Sequence, residues 1–306
     1  MLQKQRASEW FSLAGDWQRL SIVTLDAHCN PGAYAFRFHW NWFALSLPFT
    51  FILVTTSALP AAEPSTNSEA VAAEQLKQLN DQTIIGSRIF LDTEWDHFKH
   101  DAEKATWTLA GLWGWRVNDF QDWAVRLKLP FAYVRSDDAS DHADTGGLGD
   151  VELGTGTAFR LSNTWRTGGG IELHADTASD PALAEKVWRL KPGWGIAHDF
   201  TDWFTLTFNV EYNYSIAEHH NVEAERYVEL SLPGTIILPG NWSILAKYKT
   251  KIDFENGDRW TRTVNAGIAK HLSNIPLVLS ATVEKPLNGG AKKFQANFTM
   301  TYFFEK

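Results

Sequence analysis

Charged side chains that recur at every second position are the residues of this chain with the clearest chemical use. In the segment around Arg126 and Lys128 they alternate with Val125, Leu127 and Leu129. The same alternation gives ten charged residues that we predict to set solute access, namely Arg126, Lys128, Glu172, Arg189, Lys191, Glu211, Glu229, Lys247, Lys249 and Lys251. Charged side chains that line a pore select solutes by charge. The alternative is that they pair with one another and hold a filled interior together.

Two loops carry residues that resemble metal ligands. His219-His220 has acidic neighbours, but adjacent histidines on an extended chain point to different sides, which favours a solvated loop. The aspartates of the 136–146 segment lack the ordered spacing of a calcium loop. No nucleotide-binding glycine motif is present. The sequence therefore predicts no metal site and no cofactor.

One short run has the residue types of a serine hydrolase. His271-Leu272-Ser273-Asn274 is similar to a His-x-Ser-Asn run of the outer-membrane phospholipase A family, in which the serine is the nucleophile and the histidine its base. Here Ile275 replaces the glycine that follows in that motif, and no downstream asparagine is matched to orient the base. We predict a plain turn and no enzyme, with a lipid hydrolase as the more distant alternative.

The elements that would position the charged residues are long amphipathic strands. In Phe294–Phe304, aromatic and apolar residues occupy one face and uncharged polar residues the other, over a length that crosses a membrane as a tilted strand. We predict twelve such strands, near 85–97, 105–117, 122–135, 148–161, 164–176, 186–198, 202–216, 224–237, 241–253, 259–271, 275–286 and 293–304. We expect Glu225 and Glu229 to face the lysines of the ninth strand, and Arg189 and Lys191 to lie near His174 and Asp176.

The connections and the tryptophans predict the same architecture. Short turns alternate with longer polar loops, as in bacterial outer-membrane barrels. Tryptophans gather at both strand ends, with Trp95, Trp107, Trp188 and Trp260 at one and Trp115, Trp123, Trp165, Trp203 and Trp242 at the other. The predicted fold is all-β, a transmembrane antiparallel up-and-down β-barrel of about twelve strands in the cell outer membrane. It has short periplasmic turns and longer external loops, and its last strand pairs with the first.

Composition excludes several other classes. The chain has 306 residues and a formal charge of −8, which gives no basic face for nucleic acid. A mean hydropathy of −0.26 excludes a bundle of apolar membrane helices but not a barrel. The only cysteine, Cys29, precedes the predicted export cleavage.

The front of the chain predicts export. Residues 1–41 lack periodicity and suggest an over-extended start or an unstructured segment, whereas 42–62 have the apolar core and small-residue end of a signal peptide. Cleavage after Ala58 and cleavage after Ala62 both fit, and a single membrane helix is the alternative. Residues 63–83 form a periplasmic lead with a short helix from Ser68 to Asn80; a tail is favoured over a small plug. Residues 84–306 form the barrel.

A glycine-rich run carries a second resemblance. Gly147–Gly154 reads G-L-G-D-V-E-L-G and resembles the strand opening of the MetA-pathway phenol-degradation family of outer-membrane transporters. The resemblance implies passage of hydrophobic or aromatic small molecules. The physical alternative is that the glycines permit a tight turn and that Asp150 accepts hydrogen bonds from nearby amides.

We therefore predict an outer-membrane, porin-like channel or facilitator for small molecules, hydrophobic or aromatic ones included. A closed-lumen structural or adhesion barrel is the first alternative. The expected partners are membrane lipid, the barrel-assembly machinery, which reads the terminal strand, and a small-molecule solute, with no nucleic acid.

Overall fold

The computed structural model describes residues 66–99, 103–135, 144–180, 183–218, 224–255, 257, 259–273, 275–288 and 292–304. The predicted N-terminal segment, the signal peptide, His219-His220, Asn274 and most of the aspartate-rich loop lie outside these residues.

One helix and a series of long strands make up the described part of the chain. Their bounds are α1 (Thr66–Lys77), β1 (Arg88–Phe98), β2 (Glu103–Asn118), β3 (Gln121–Arg135), β4 (Thr145–Leu148), β5 (Val151–Arg160), β6 (Trp165–Ala175), β7 (Val187–Thr201), β8 (Phe204–Glu218), β9 (Arg226–Leu238), β10 (Trp242–Asp253), β11 (Arg259–Leu272), β12 (Leu277–Asn288) and β13 (Lys292–Phe303). No helix among these residues is long and apolar enough to cross a membrane.

The strands form one closed antiparallel barrel. Each pairs with its sequence neighbours, and β4 and β5 share one position beside β3, which gives twelve positions around the described wall. The ring closes between β1 and β13, where Arg88 lies opposite Phe303 and His97 opposite Phe294. Closure removes the free edges of β1 and β13, and lipid does not tolerate such edges. The predicted fold class and the pairing of the last strand with the first are both confirmed.

Alternation decides which side chains face the lumen. On β13, Phe298 and Tyr302 are exposed on the outer wall, whereas Thr301 is buried on the inner side. The tryptophans follow the predicted sorting: Trp95 and Trp260 are exposed near one end of the barrel, and Trp165 and Trp242 near the other. An apolar outer face with an aromatic girdle at each end is the pattern of a membrane barrel.

The two barrel ends differ in their connections. At the turn end, where β1 begins and β13 ends, short connections such as residues 119–120 and 202–203 join the strands. At the loop end, longer connections such as 136–144 and 176–186 join them.

Each predicted strand corresponds to a strand of the structure, with bounds that differ by up to three residues, and two of these differences have a clear cause. The fourth predicted strand is interrupted at Gly149-Asp150, because the Gly149 amide donates to the Pro130 carbonyl and the Asp150 carboxylate accepts from the amides of Thr177 and Ala178. These hydrogen bonds agree with the physical alternative given for the glycine-rich run. The first strand begins at Arg88 instead of residue 85, because Ile85 turns inward against the wall.

Residues 66–87, which we call the plug segment, lie inside the barrel at the turn end. Leu76 of α1 is fully buried against a cluster of inward-facing side chains on the last four strands, namely Leu245, Ala269, Val278 and Phe303. The sequence favours a periplasmic tail here, whereas the structure places the segment in the lumen. Leu76 packs there against apolar side chains of the barrel wall, and the polar side chains that follow it contact polar groups of the wall.

The wall between β5 and β7 is lined by glycines. Gly156 lies opposite Gly170, and Gly168 lies opposite Ala158. A Cβ added at Gly170 would lie 2.6 Å from the Thr155 carbonyl oxygen on the neighbouring strand. The strands therefore approach here more closely than residues with side chains allow.

Candidate lumen site

An ion-pair network covers the inner face of β3, β5, β6 and β7. Arg126 contacts Glu172, and Lys128 lies 2.6 Å from a carboxylate oxygen of Glu152. Lys191 joins both acids, at 3.1 Å from Glu172 and 3.3 Å from Glu152. Four of the ten predicted lumen residues thus belong to one network, in which each cation has a carboxylate partner.

A second cluster lies towards the loop end. Arg189 contacts Glu225 and lies 2.6 Å from Glu185, and it is the cross-strand neighbour of His174. His174 is buried within 3.4 Å of Asp150. The expected neighbourhood of Arg189 and His174 is therefore confirmed. The expectation that Glu225 faces lysines of the ninth predicted strand is wrong, because Glu225 lies outside β9 and its carboxylate reaches Arg189.

The third group lies on β8 to β12. Lys249 lies 3.8 Å from Glu229 and 3.4 Å from Glu284, so the predicted contact of Glu229 with a lysine of the ninth predicted strand, β10, is confirmed. Lys251 lies 3.7 Å from Asp253, and Glu211 accepts a hydrogen bond from Asn213 at 2.9 Å. The contacts of Lys249 join different strands, whereas those of Lys251 and Glu211 lie within one strand, and each gives a charged side chain a fixed partner.

Lys247, the last of the ten predicted residues to be described, differs from the other nine in that its charged group has no partner in the described part of the chain. It lines a lumen cavity of about 330 Å³ between the plug segment and strands β1 and β10–β13. Among the described residues its ammonium group has no hydrogen-bond or ion-pair partner. Glu284, on the same cavity, is already paired with Lys249.

The lining of this cavity is mainly neutral and polar. Four charged residues line it, namely Lys247, Arg88, Asp92 and Glu284. Eight more carry a hydroxyl or amide group, namely Asn80, Asn265, Ser280, Thr282, Gln295, Asn297, Thr299 and Thr301. The three apolar ones are Leu79, Phe90 and Leu245. Asp92 accepts hydrogen bonds from Asn297 at 2.9 Å and Thr299 at 2.6 Å. The cavity therefore offers many donors and acceptors on a surface that is more polar than apolar.

A smaller cavity of about 140 Å³ separates residues 82–85 from the glycine-lined wall. Arg126, Glu172, Lys191 and Glu211 also line it. Predicted residues from the first network and from the third group thus reach space that the plug segment bounds.

The plug segment is held to the wall by polar contacts that the sequence does not predict. Arg166 on β6 lies 2.9 Å from Asp81 and 2.5 Å from Asp199, and Lys77 lies 3.3 Å from Asp199. The Asn80 amide donates to the Gly234 carbonyl at 3.0 Å. The inward parity of Arg166 on β6 could be read from the sequence, but its partner Asp81 on the plug segment could not.

His271 and Ser273, the base and nucleophile of the candidate hydrolase run, are both described by the structure and form no hydrogen bond with each other. His271 Nε2 lies 2.8 Å from Gln75 Oε1 of α1, so the ring is turned into the lumen. Ser273 Oγ accepts a hydrogen bond from Asn241 at 3.3 Å. The two side chains contact different partners, as expected for a plain turn. Among the described residues no group of three or more His, Cys, Asp or Glu side chains could hold a metal ion.

Solved structures share this architecture. An outer membrane channel from Pseudomonas putida F1 superposes with a TM-score of 0.61 at 18% identity, over 74% of this chain and 98% of that one. The NanC porin superposes with a TM-score of 0.51 at 10% identity, over 71% of this chain and all of that one. No family model matches the chain, and no curated protein matches it. At these identities the likeness establishes the fold, a closed β-barrel of the outer-membrane type.

Proposed function

We propose that this barrel is an outer-membrane channel or facilitator for small polar molecules, with its turn end in the periplasm and its plug segment as an internal gate. The observation that carries the proposal is the cavity of about 330 Å³ in the lumen, with the uncommitted ammonium group of Lys247 on its surface. A cavity of this size holds a small molecule, and convergent polar groups fix its orientation.

The lining supports polar solutes better than the hydrophobic or aromatic ones that the phenol-degradation resemblance implies. Only Leu79, Phe90 and Leu245 contribute apolar side chains to the main cavity. Transfer of an aromatic solute from water to this surface would leave amide and hydroxyl groups without hydrogen-bond partners, which is costly. A hydroxylated or charged solute would satisfy them.

A closed-lumen barrel is the second candidate, and one observation favours it. The plug segment joins α1 to the wall through Leu76, Lys77 and Asp81, and so fills the turn end. If this docking is permanent, the charges of the lumen serve stability alone.

Conductance in planar bilayers separates the two candidates. We would compare the full chain with a variant that lacks residues 66–79, after heat-modifiable gel migration has shown that both are folded. We expect intermittent conductance for the full chain and persistent conductance for the deletion variant. A silent deletion variant that is folded would overturn the channel proposal. Swelling of liposomes in isosmotic sugars and in aromatic alcohols then tests the polar preference: faster entry of the alcohols would contradict it.

A further inference from the structure

Basic side chains gather on the outer wall at the loop end of the last strands. This basic band consists of exposed residues on β9, β11, β12 and β13, namely Arg226, Arg262, Lys285 and Lys293. Each lies near the strand end where the connections are long. The outer wall of a membrane barrel is otherwise apolar, because a charge on the lipid face is costly away from the interface.

Arg262 and Lys285 form the centre of the band. Lys285 lies opposite Val264, so it is the diagonal cross-strand neighbour of Arg262, at about 7–8 Å for such positions. Neither side chain has a hydrogen-bond or ion-pair partner in the described part of the chain. Arg226, at the flank, lies 3.3 Å from Glu255 and over the Tyr214 ring. The centre is therefore open to an anion from outside the protein.

An apolar strip runs from this centre towards the middle of the barrel. Val264, Ile268 and Val283 are 38%, 52% and 52% exposed on the outer wall of β11 and β12. A ligand bound here would meet two cations at one end and branched aliphatic side chains below them. That combination fits a lipid with an anionic headgroup.

The turn end of the same strands lacks such a centre. Lys270 also points outward, but its ammonium group donates to the Gly240 carbonyl at 2.5 Å and lies 5.0 Å from the centre of the Trp242 ring. Among the described residues of these strands, outward cations without a hydrogen-bond or ion-pair partner thus occur at the loop end and not at the turn end. The basic band therefore lies at the level of the headgroups of one leaflet, the one at the loop end.

We propose that the basic band binds the phosphate groups of lipid A, the phosphorylated glycolipid of the outer leaflet, whose acyl chains lie along Val264, Ile268 and Val283. The proposal rests on the proposed outer-membrane location with the loop end outside. Guanidinium and ammonium groups form strong charge-assisted hydrogen bonds to phosphate oxygens, and a phosphate monoester carries more negative charge than the diester of a phospholipid. Arg262 provides the planar, two-donor contact and Lys285 the point charge.

Native mass spectrometry of the detergent-extracted barrel tests the proposal. The probes are diphosphoryl lipid A, the same lipid after removal of both phosphates, and phosphatidylglycerol. We expect the wild-type protein to retain diphosphoryl lipid A in preference to the other two. The double substitution Arg262→Gln with Lys285→Gln should weaken lipid A binding about thirtyfold, which corresponds to about 2 kcal/mol for two basic groups near a headgroup.

Two control variants complete the experiment. Lys270→Gln removes an outward cation from the opposite end and should leave lipid A binding unchanged. Arg262→Lys with Lys285→Arg keeps both charges and should retain most of the affinity, so a mere folding defect of the glutamine variant is distinguishable. Equal retention of dephosphorylated lipid or of phosphatidylglycerol by the wild type would overturn the proposal, as would full binding by the glutamine variant. Conductance of the variant that lacks residues 66–79 is measured in parallel, and silence of that folded variant together with selective lipid A binding by the wild type would contradict the channel proposal alone.

Discussion

Truncation of Leu76 to alanine should release the plug segment. Leu76 is 0% exposed and packs against Leu245, Val278 and Phe303. Leucine-to-alanine changes at buried sites cost about 2–5 kcal/mol, because transfer energy is lost and a cavity remains. The cost falls on the docked state only, since the undocked helix exposes this side chain to water in both proteins.

A loss of about 3 kcal/mol raises the undocked fraction about 150-fold, and the lower limit of about 2 kcal/mol raises it about thirtyfold. An undocked helix of 12 residues is only marginally stable in water, so its amides should then exchange rapidly. Hydrogen exchange of the peptide that covers residues 66–83 measures this directly, and the open probability in planar bilayers should rise in parallel.

Val71→Ala is the matched control, because Val71 lies on the same helix and is 51% exposed. It should change exchange and open probability less than threefold, in keeping with about 0.5 kcal/mol for a surface change. Unchanged exchange in Leu76→Ala would refute the argument that this leucine anchors the plug segment. Equal effects of the two variants would refute it as well, since helix propensity would then explain both.

Four further predictions follow from the wall and the lumen. Arg166→Gln leaves the Asp81 carboxylate without a cationic partner and Asp199 with Lys77 alone, and it should raise open probability at least as much as Leu76→Ala, since breaking a buried ion pair costs about 3–5 kcal/mol; bilayer recording checks this. Gly170→Ala should destabilise the barrel by about 1–3 kcal/mol in urea titration, whereas Gly111→Ala, with nothing within 4 Å of the added Cβ, should not. Lys247→Gln should lower the ratio of anion to cation permeability, measured as a reversal potential in a salt gradient. Ser273→Ala should leave any fatty-acid release from phospholipid vesicles unchanged, and a loss of such release would restore the hydrolase alternative.

The barrel was accessible from sequence because one physical rule, alternation, decides it locally. Phe298 and Tyr302 face out and Thr301 faces in on β13 by parity alone, and the register with β1 follows. The ends of strands are less well determined by the local sequence pattern. The break at Gly149-Asp150 depends on amides of a loop almost thirty residues further along, which no local pattern contains.

The candidate site was accessible only in part. Alternation placed Lys247 and Lys249 in the lumen. It could not show that Lys249 has a carboxylate partner and that Lys247 faces a cavity. The plug segment was missed because α1 presents so little apolar surface. Ala72 and Leu76, four residues apart, are its buried apolar side chains among those described, and a pair is too weak a signal to distinguish a docked helix from a solvated one.

The contacts of the plug segment also bear on the order in which the molecule matures. They join residues far apart in the chain: 122 positions separate Lys77 from Asp199, 154 separate Asn80 from Gly234, and 196 separate Gln75 from His271. Contacts of such long sequence separation form late, because loop-closure entropy opposes them until the intervening strands are in place. We therefore expect docking of α1 to come late in biogenesis, together with the closure of β1 on β13, whose contact between Asp92 and Asn297 spans 205 positions.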